Sequence, residues 1–295
     1  LMYAVSGRSL VALGHPVGDP QRGTELAWAF RELADRLDAR PVFYQVGVET
    51  LPTYLDMRLS VLKIAEVARL DLAKFTMAGT ARQNLRNARR RLEKEGLVFS
   101  LVPAADVPAM LDEMQEVSDA WFAGKSGGEK GFSIGRFDRD YLSRFDVGVL
   151  RRDGELVAFA NIWRGADKAE MTVDLMRYRP GVSRIVMDGL FVELILMAQA
   201  EGYRWFELGP APLSGLVDHR LASWWNRIGS FIYRRGEEYY NFEGLRTFKQ
   251  KFGPEWTPLY VACPGLLDTP KALMDLTALI AGGSPLRIFR NATSG

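Results

Sequence analysis

Apolar positions along this chain recur with two periods. Short runs at 2–6 and 9–13 flank Gly7-Arg8, which predicts a hairpin. Leu26, Phe30, Leu33, Ala34 and Leu37 fall at helical spacing and predict a helix over 25–37. Residues 41–48 are rich in strand formers, and 61–64 and 67–72 predict two more strands. A helix over 80–94 is more distinctive. Thr80 and Gln83 match a Thr-x-x-Gln capping box, and Gly96 stands in the C-terminal position that glycine favours. Its apolar seam is narrow (Ala81, Leu85, Ala88, Leu92). Arg82, Arg86, Arg89, Arg90, Arg91 and Lys94 cover most of the rest. A strand at 97–102 and a helix at 107–121 follow. Residues 123–137, with Gly124, Lys125, Gly127, Gly128, Glu129, Lys130 and Gly131, read as a mobile loop and candidate lid.

The second half predicts an antiparallel meander. Strands at 147–151 and 155–163 meet at Asp153-Gly154, a strong hairpin signal, and 168–177 supplies a third strand. The segment 184–201 is apolar nearly all round, so it is expected to be a central helix. Gly202 ends it, and 203–208 is the next strand. This order predicts an α+β fold with a mixed sheet. No internal sequence repeat is visible.

Composition narrows the function classes. The chain has 295 residues, 47% of them hydrophobic, which suits one large domain or two. Its 38 Lys+Arg against 36 Asp+Glu give a net charge of +2, so nothing announces a generic nucleic-acid binder. One cysteine, Cys263, excludes an internal disulfide framework. With only His15 and His219, a multi-histidine metal site is excluded too, and no metal or cofactor is expected. The most apolar stretch, 185–200, carries Asp188 and Glu193, whereas a span needs about 20 predominantly apolar residues. The opening at Leu1 suggests a piece of a longer chain.

Four stretches carry candidate chemistry. The basic helix sets six cations against one internal acid, Glu93. Such an excess repels itself unless an anion is near, so a phosphate contact reads ahead of a plain solvated surface. In 171–178, regular alternation puts Asp174 and Met176 on one face and Val173, Leu175 and Arg177 on the other; a bulge or strand end near Arg177 would bring Asp174 and Arg177 together. Asp is disfavoured inside strands, so Asp174 needs a partner, in a structural ion pair or in an acid/base or anion site. The loop 208–215 follows a strand, where sheets place ligands; its Ser214 lacks a Gly-x-Ser-x-Gly setting, which argues against a serine triad. In 239–252, Arg246, Lys249 and Lys251 interleave with aromatics, after Arg234 and Arg235. That mixture suits phosphates and bases of a nucleic-acid end, or a helix with aromatics in the core and cations in water.

These residues also carry a resemblance. Phe242-Glu243-Gly244-Leu245-Arg246 with Phe248-Lys249-Gln250-Lys251-Phe252 resembles the C-terminal signature of the phosphatidylglycerol aminoacyltransferases, the lysyl- and alanyl-phosphatidylglycerol synthases or multiple peptide resistance factors. Gly7-Arg8-Ser9, Pro16-Val17-Gly18-Asp19, Phe43-Tyr44-Gln45-Val46, Lys130-Gly131-Phe132-Ser133, Gly135-Arg136-Phe137, Val173-Asp174-Leu175-Met176-Arg177 and Leu208-Gly209 with Ala211-Pro212-Leu213-Ser214 look like further family motifs, in the family's order. Arg58, Ile64 and Ala65 depart from it, standing where Gly, Leu and Gly are more usual.

The resemblance implies tandem GNAT-like acyltransferase folds akin to the Fem peptidyltransferases, with mixed central sheets flanked by helices. The expected division is 1–103 and 104–295. It implies transfer of lysine or alanine from aminoacyl-tRNA to the glycerol headgroup of phosphatidylglycerol, which alters membrane charge and gives resistance to cationic antimicrobial peptides. It implies a catalytic domain on the cytoplasmic face of the bacterial inner membrane, joined to an N-terminal transmembrane flippase domain. Asp174, Arg177 and Glu243 are carried over as catalytic positions. Arg82, Arg86, Arg90, Ser214, Arg246, Lys249 and Lys251 are carried over as tRNA- or lipid-phosphate contacts. Two alternatives remain: an acyl-CoA N-acyltransferase and a non-catalytic RNA- or membrane-binding module. The first expects Arg/Gln-x-x-Gly-x-Gly/Ala at the central helix, and the run 179–184 does not match it.

Overall fold

A computed structural model describes residues 1–123, 131–133, 135–182, 185–212, 214–215, 242–265 and 267–282. In chain order the elements are β1 Tyr3–Ser6, β2 Ser9–Leu13, α1 Pro20–Arg36, β3 Arg40–Val46, α2 Leu51–Asp56, β4 Ser60–Asp71, α3 Gln83–Lys94 and β5 Leu97–Val102. Then follow α4 Leu111–Ala123, α5 Arg139–Leu142, β6 Val147–Arg152, β7 Glu155–Arg164, β8 Glu170–Tyr178, α6 Ile185–Ala200, β9 Trp205–Pro212, α7 Phe242–Gln250, β10 Glu255–Cys263 and α8 Thr269–Ile280. The ten strands form one mixed sheet in the order β1-β2-β3-β10-β4-β9-β8-β7-β6-β5. The expected α+β class, a mixed sheet flanked by helices, is what the chain adopts.

Local chemistry accounts for most boundaries. The β6–β7 turn has φ +53° at Asp153 and +87° at Gly154, the left-handed pair that a two-residue hairpin favours. α1 begins five residues before the periodicity suggests. Pro20 opens it, and the Asp19 side chain accepts from Arg22 N at 3.0 Å. The capping box at Thr80 does not form. Thr80–Arg82 is a 3-10 turn, and α3 starts at Gln83 without a side-chain cap. Arg86 instead donates from Nη1 to the carbonyls of Met77 and Gly79, both at 2.6 Å, fixing the entry to the helix.

Two further expectations are corrected. The strands expected at 61–64 and 67–72 are one strand, β4, which bulges where it meets β9 between Val67 and Arg69. β10 has no counterpart in the sequence reading, and its Pro258 is a residue that argues against a central strand. It lies between β3 and β4 nonetheless. On the β3 side it pairs only through Tyr260–Ala262, so the missing N–H of Pro258 removes no rung there.

Helices cover both faces. In the second half, Ala158, Ala160 and Ile162 of β7 face α3 and α6, while Phe159 faces α4. α6 is buried because it lies between α3 and the sheet. A Cβ on Gly189 would lie 2.3 Å from Leu92 Cδ1, so the two helices meet at a glycine. In the first half, α1 and α2 pack on one face, and α8 covers the other with Ala272 and Leu276 against Val11, Val42 and Val261. The apolar side of α8 is thus directed to the core. Among the described residues no helix is long and apolar enough to cross a membrane.

Candidate active site

β8 and β9 run parallel and pair only from Glu170–Thr172 with Trp205–Glu207. Both continue beyond that rung, β8 to Tyr178 and β9 to Pro212. The sheet therefore opens into a fork, and backbone groups lining it need other partners. Lys249 of α7 supplies one. Its Nζ donates to the carbonyls of Gly209 at 2.8 Å and Pro210 at 2.7 Å.

Asp174 stands on the β8 arm, at a bulge. Ala160 pairs with Met176 and Ile162 with Val173, so Asp174 and Leu175 together oppose the single residue Asn161. Asn161 is fully buried and accepts from Leu175 N at 2.7 Å through its side chain, which holds the bulge. The bulge turns Asp174 toward α5, where Tyr141 Oη donates to its Oδ2 at 2.7 Å. Trp163 Nε1 in turn donates to Tyr141 Oη at 3.0 Å. Burial, then the hydrogen bond to Asp174 and its charge, raise the Tyr141 pKa, so the phenol stays a donor. Sequence reasoning found Asp174 but missed Tyr141, Trp163 and Asn161. None of the three carries a local pattern, and they meet only across the sheet.

Arg177 is 7% exposed and lies against two aromatic faces, 4.2 Å from the Trp121 centroid and 5.0 Å from that of Phe122. Its Nη1 donates to the Met176 carbonyl at 2.9 Å. The bulge falls at 174–175 rather than near Arg177, and Asp174 is held by Tyr141 instead.

Two carboxylates flank the fork on the neighbouring strands. Glu207 closes the last β8–β9 rung opposite Thr172, and Thr172 Oγ1 donates to its backbone carbonyl at 3.0 Å. Burial, reinforced by Glu170 and opposed by Arg69 and Lys249, raises its pKa to about 7. Lys249 is 5% exposed. Burial lowers its pKa to about 7, against the pull of Glu207. Farther along, Glu66 of β4 takes Lys63 Nζ at 2.9 Å, Ser214 Oγ at 2.9 Å, and Arg246 Nη1. Burial pushes the Glu66 carboxyl up, but these three donors outweigh it and hold it at about 2. Gly215 has φ +66°, and a Cβ there would lie 2.1 Å from the Glu66 carboxylate.

The structure thus sorts the expected residues into three places. Asp174 stands at the fork with Tyr141. Lys249, Arg246 and Ser214 tie α7 and the loop after β9 to the sheet. Ser214 is 1% exposed and donates to Glu66, which fits a tether rather than a nucleophile. Arg82, Arg86 and Lys251 lie on the α3/α6 side. Arg82 donates to the Lys251 carbonyl at 3.2 Å, and Lys251 holds both Asp188 oxygens at 2.9 Å. Arg90 is exposed with no ion pair or hydrogen bond among the described residues. The Glu243 side chain lies outside the described residues, as do Leu213, His219, Arg234, Arg235 and 124–130 of the expected lid.

The profile described as phosphatidylglycerol lysyltransferase, C-terminal, matches residues 1–263. A phosphatidylglycerol lysyltransferase of Bacillus subtilis (strain 168) is 35% identical over 263 residues, which is 89% of this chain and 30% of that protein. One from Staphylococcus aureus (strain MSSA476) is 31% identical over 262 residues, 88% of this chain and 31% of that protein. The chain therefore spans about a third of the length of these curated relatives. Among solved structures, the C-terminal domain of a putative lysylphosphatidylglycerol synthetase from Agrobacterium fabrum aligns with TM-score 0.86 at 41% identity, covering 96% of this chain and 86% of that one. L-PGS from Bacillus licheniformis aligns with TM-score 0.81 at 34% identity, covering 95% and 85%. FemX shares the fold at TM-score 0.56 and 9% identity, covering 91% and 84%.

Proposed function

Since this chain belongs to the phosphatidylglycerol lysyltransferase C-terminal family, we propose that it transfers an amino acid from aminoacyl-tRNA to the glycerol headgroup of phosphatidylglycerol. The observation that carries the reading is the Asp174 carboxylate, turned by a bulge to the mouth of the fork and oriented by Tyr141. The donor bond and the product bond are both carboxylic esters, so positioning matters more than driving force. Asp174 accepts the proton of a glycerol hydroxyl as its oxygen attacks the aminoacyl carbonyl carbon. The tetrahedral intermediate then expels the ribose oxygen of the tRNA 3′ end, which takes the proton back. Tyr141 keeps the carboxylate aimed, and Lys249 fixes the β9 arm of the fork through the Gly209 and Pro210 carbonyls. Arg177 assists by charge from its aromatic seat.

We propose the following of the product and the setting as well. The transferred residue is lysine or alanine. The product alters membrane charge and protects against cationic antimicrobial peptides. The chain works at the cytoplasmic membrane face, joined to an N-terminal transmembrane flippase region of a longer protein. Residues 1–103 and 104–295 are two GNAT-like units, with β5 pairing into the second and β10 into the first.

One experiment tests the activity. Radiolabelled aminoacyl-tRNA is incubated with the chain and phosphatidylglycerol vesicles, once for each charged tRNA. Label in the lipid fraction is expected. Binding without turnover would leave an RNA- or membrane-binding module, and acetyl-CoA turnover instead would leave an N-acyltransferase.

A further inference from the structure

The motif Gly131-Phe132-Ser133 with Gly135-Arg136-Phe137 has no role in the chemistry above, yet it touches both halves of the sheet. At its start it is fastened to the first half. Gly131 N donates to the Ile280 carbonyl at the end of α8 at 3.1 Å, and Ser133 N donates to the Gly131 carbonyl at 2.9 Å. The Phe132 ring lies 6.5 Å from that of Tyr44 on β3, and the Tyr44 hydroxyl hydrogen-bonds with the Ser133 side chain. At its far end it is fastened to the second half. Phe137 meets Phe159 edge-on at 6.4 Å, and Asp138 Oδ1 accepts from Tyr141 N at 2.9 Å as the cap of α5.

Between these anchors stands Gly135, against Asp174. A Cβ built on Gly135 would lie 2.3 Å from Asp174 Oδ2, 2.6 Å from Cγ and 2.7 Å from Oδ1. All three distances are below any ordinary contact, and the neighbour is a carboxylate already fixed by Tyr141 at 2.7 Å. No φ in the left-handed range demands glycine at 135. What demands it is space.

We propose that Gly135 is a positioning residue for the transfer reaction: standing between Gly131–Ser133, anchored on α8 and β3, and Phe137–Asp138, anchored on the second half, it presses its bare backbone on Asp174 and sets the carboxylate between itself and Tyr141. Contact with the backbone on one side and the phenol on the other leaves the carboxylate one orientation. A side chain at 135 displaces it, and a displacement of about 1 Å costs about 10²-fold in rate where alignment carries the barrier. The proposal rests on Asp174 acting in the proposed transfer, so its test has one arm that reads no activity.

That arm is a double-mutant cycle on thermal stability. Gly135→Ala should lower Tm in the wild-type background and leave it unchanged in Asp174→Ala, where the clashing carboxylate is gone. An equal loss in both backgrounds would overturn the contact itself. The second arm is kinetic. Gly135→Ala should lower kcat by about 10²-fold with KM for tRNA and for phosphatidylglycerol within about twofold of wild type. Wild-type kcat together with the expected Tm coupling would overturn the positioning role. A chain inactive as wild type that still shows the coupling would sink the proposed function and leave the contact standing.

Discussion

Glu66 and Glu207 are the same residue type on adjacent strands, both drawn into the sheet around the fork, and they come out opposite. Burial pushes both carboxyls up. Glu66 ends at about 2 because Lys63, Ser214 and Arg246 place donors directly on its oxygens. Glu207 ends at about 7 because it has only the charges of Arg69 and Lys249 to oppose burial, and Glu170 adds to the rise. Hydrogen bonds to the charged form decide the sign; nearby charge without contact does not suffice here. Glu66 is thus a structural knot, whereas burial moves Glu207 up and Lys249 down, each to about 7.

The largest expected effect breaks the knot. Glu66→Gln leaves Arg246 and Lys63 without their carboxylate, and removing the acceptor from such a half-buried, charge-assisted set costs about 2 kcal/mol. Urea unfolding at pH 7.5 should show that loss, while Glu207→Gln under the same conditions should cost under about 0.5 kcal/mol or stabilise. Equal losses would erase the distinction between the two carboxylates.

The next effect sharpens it by pH. Glu207, raised in the fold, binds more protons there than in the unfolded chain between about 4.5 and 7, so its contribution to stability falls as pH rises through that window. Lys249, lowered in the fold, binds fewer between about 7 and 10.5, so its contribution rises with pH there. Together they predict a dip in stability near pH 7. Glu207→Gln should flatten the acid side of the dip and Lys249→Met the alkaline side. Thermal melts across pH 4.5–10.5 read both slopes.

The smallest effect concerns cations outside the knot. Arg246 and Lys249 are engaged inside the fold, whereas Arg90 and Lys94, one turn apart on α3, are exposed with no partner among the described residues. Arg90→Ala with Lys94→Ala should leave Tm unchanged. It should weaken tRNA use and reduce the dependence of that use on salt, by a slope of about 2 at most. An unchanged salt slope would remove α3 from the phosphate contacts.

How much of this was legible in the sequence depends on what each feature needed. The hairpin at Asp153-Gly154, the apolar helix α6 and the Leu85, Ala88 and Leu92 part of the α3 seam rest on local chemistry and stand where the pattern put them, whereas Ala81 is exposed in the turn before the helix. β10 contains Pro258, whose missing donor matters only if its N–H side faces a paired strand, and at that residue only the β4 side is paired. Asp174 was visible as an aspartate inside a strand. Its partner was not, because the bulge depends on Asn161 from the next strand and the phenol on Tyr141, thirty-three residues before it. The cationic character of α7 was legible, but its use was not. Arg246 and Lys249 turn inward because Glu66 and the Gly209 and Pro210 carbonyls of β9 lie beneath them.

The central claim is that Asp174, aimed by Tyr141 at the fork, takes the proton in the transfer. Label transfer from aminoacyl-tRNA into phosphatidylglycerol by Asp174→Asn tests it most directly, with Tm measured on the same preparation. The substitution keeps the size of the side chain and removes its basicity, so kcat should fall by about 10²-fold or more while Tm stays near that of the wild type. Wild-type turnover in Asp174→Asn would contradict the assignment.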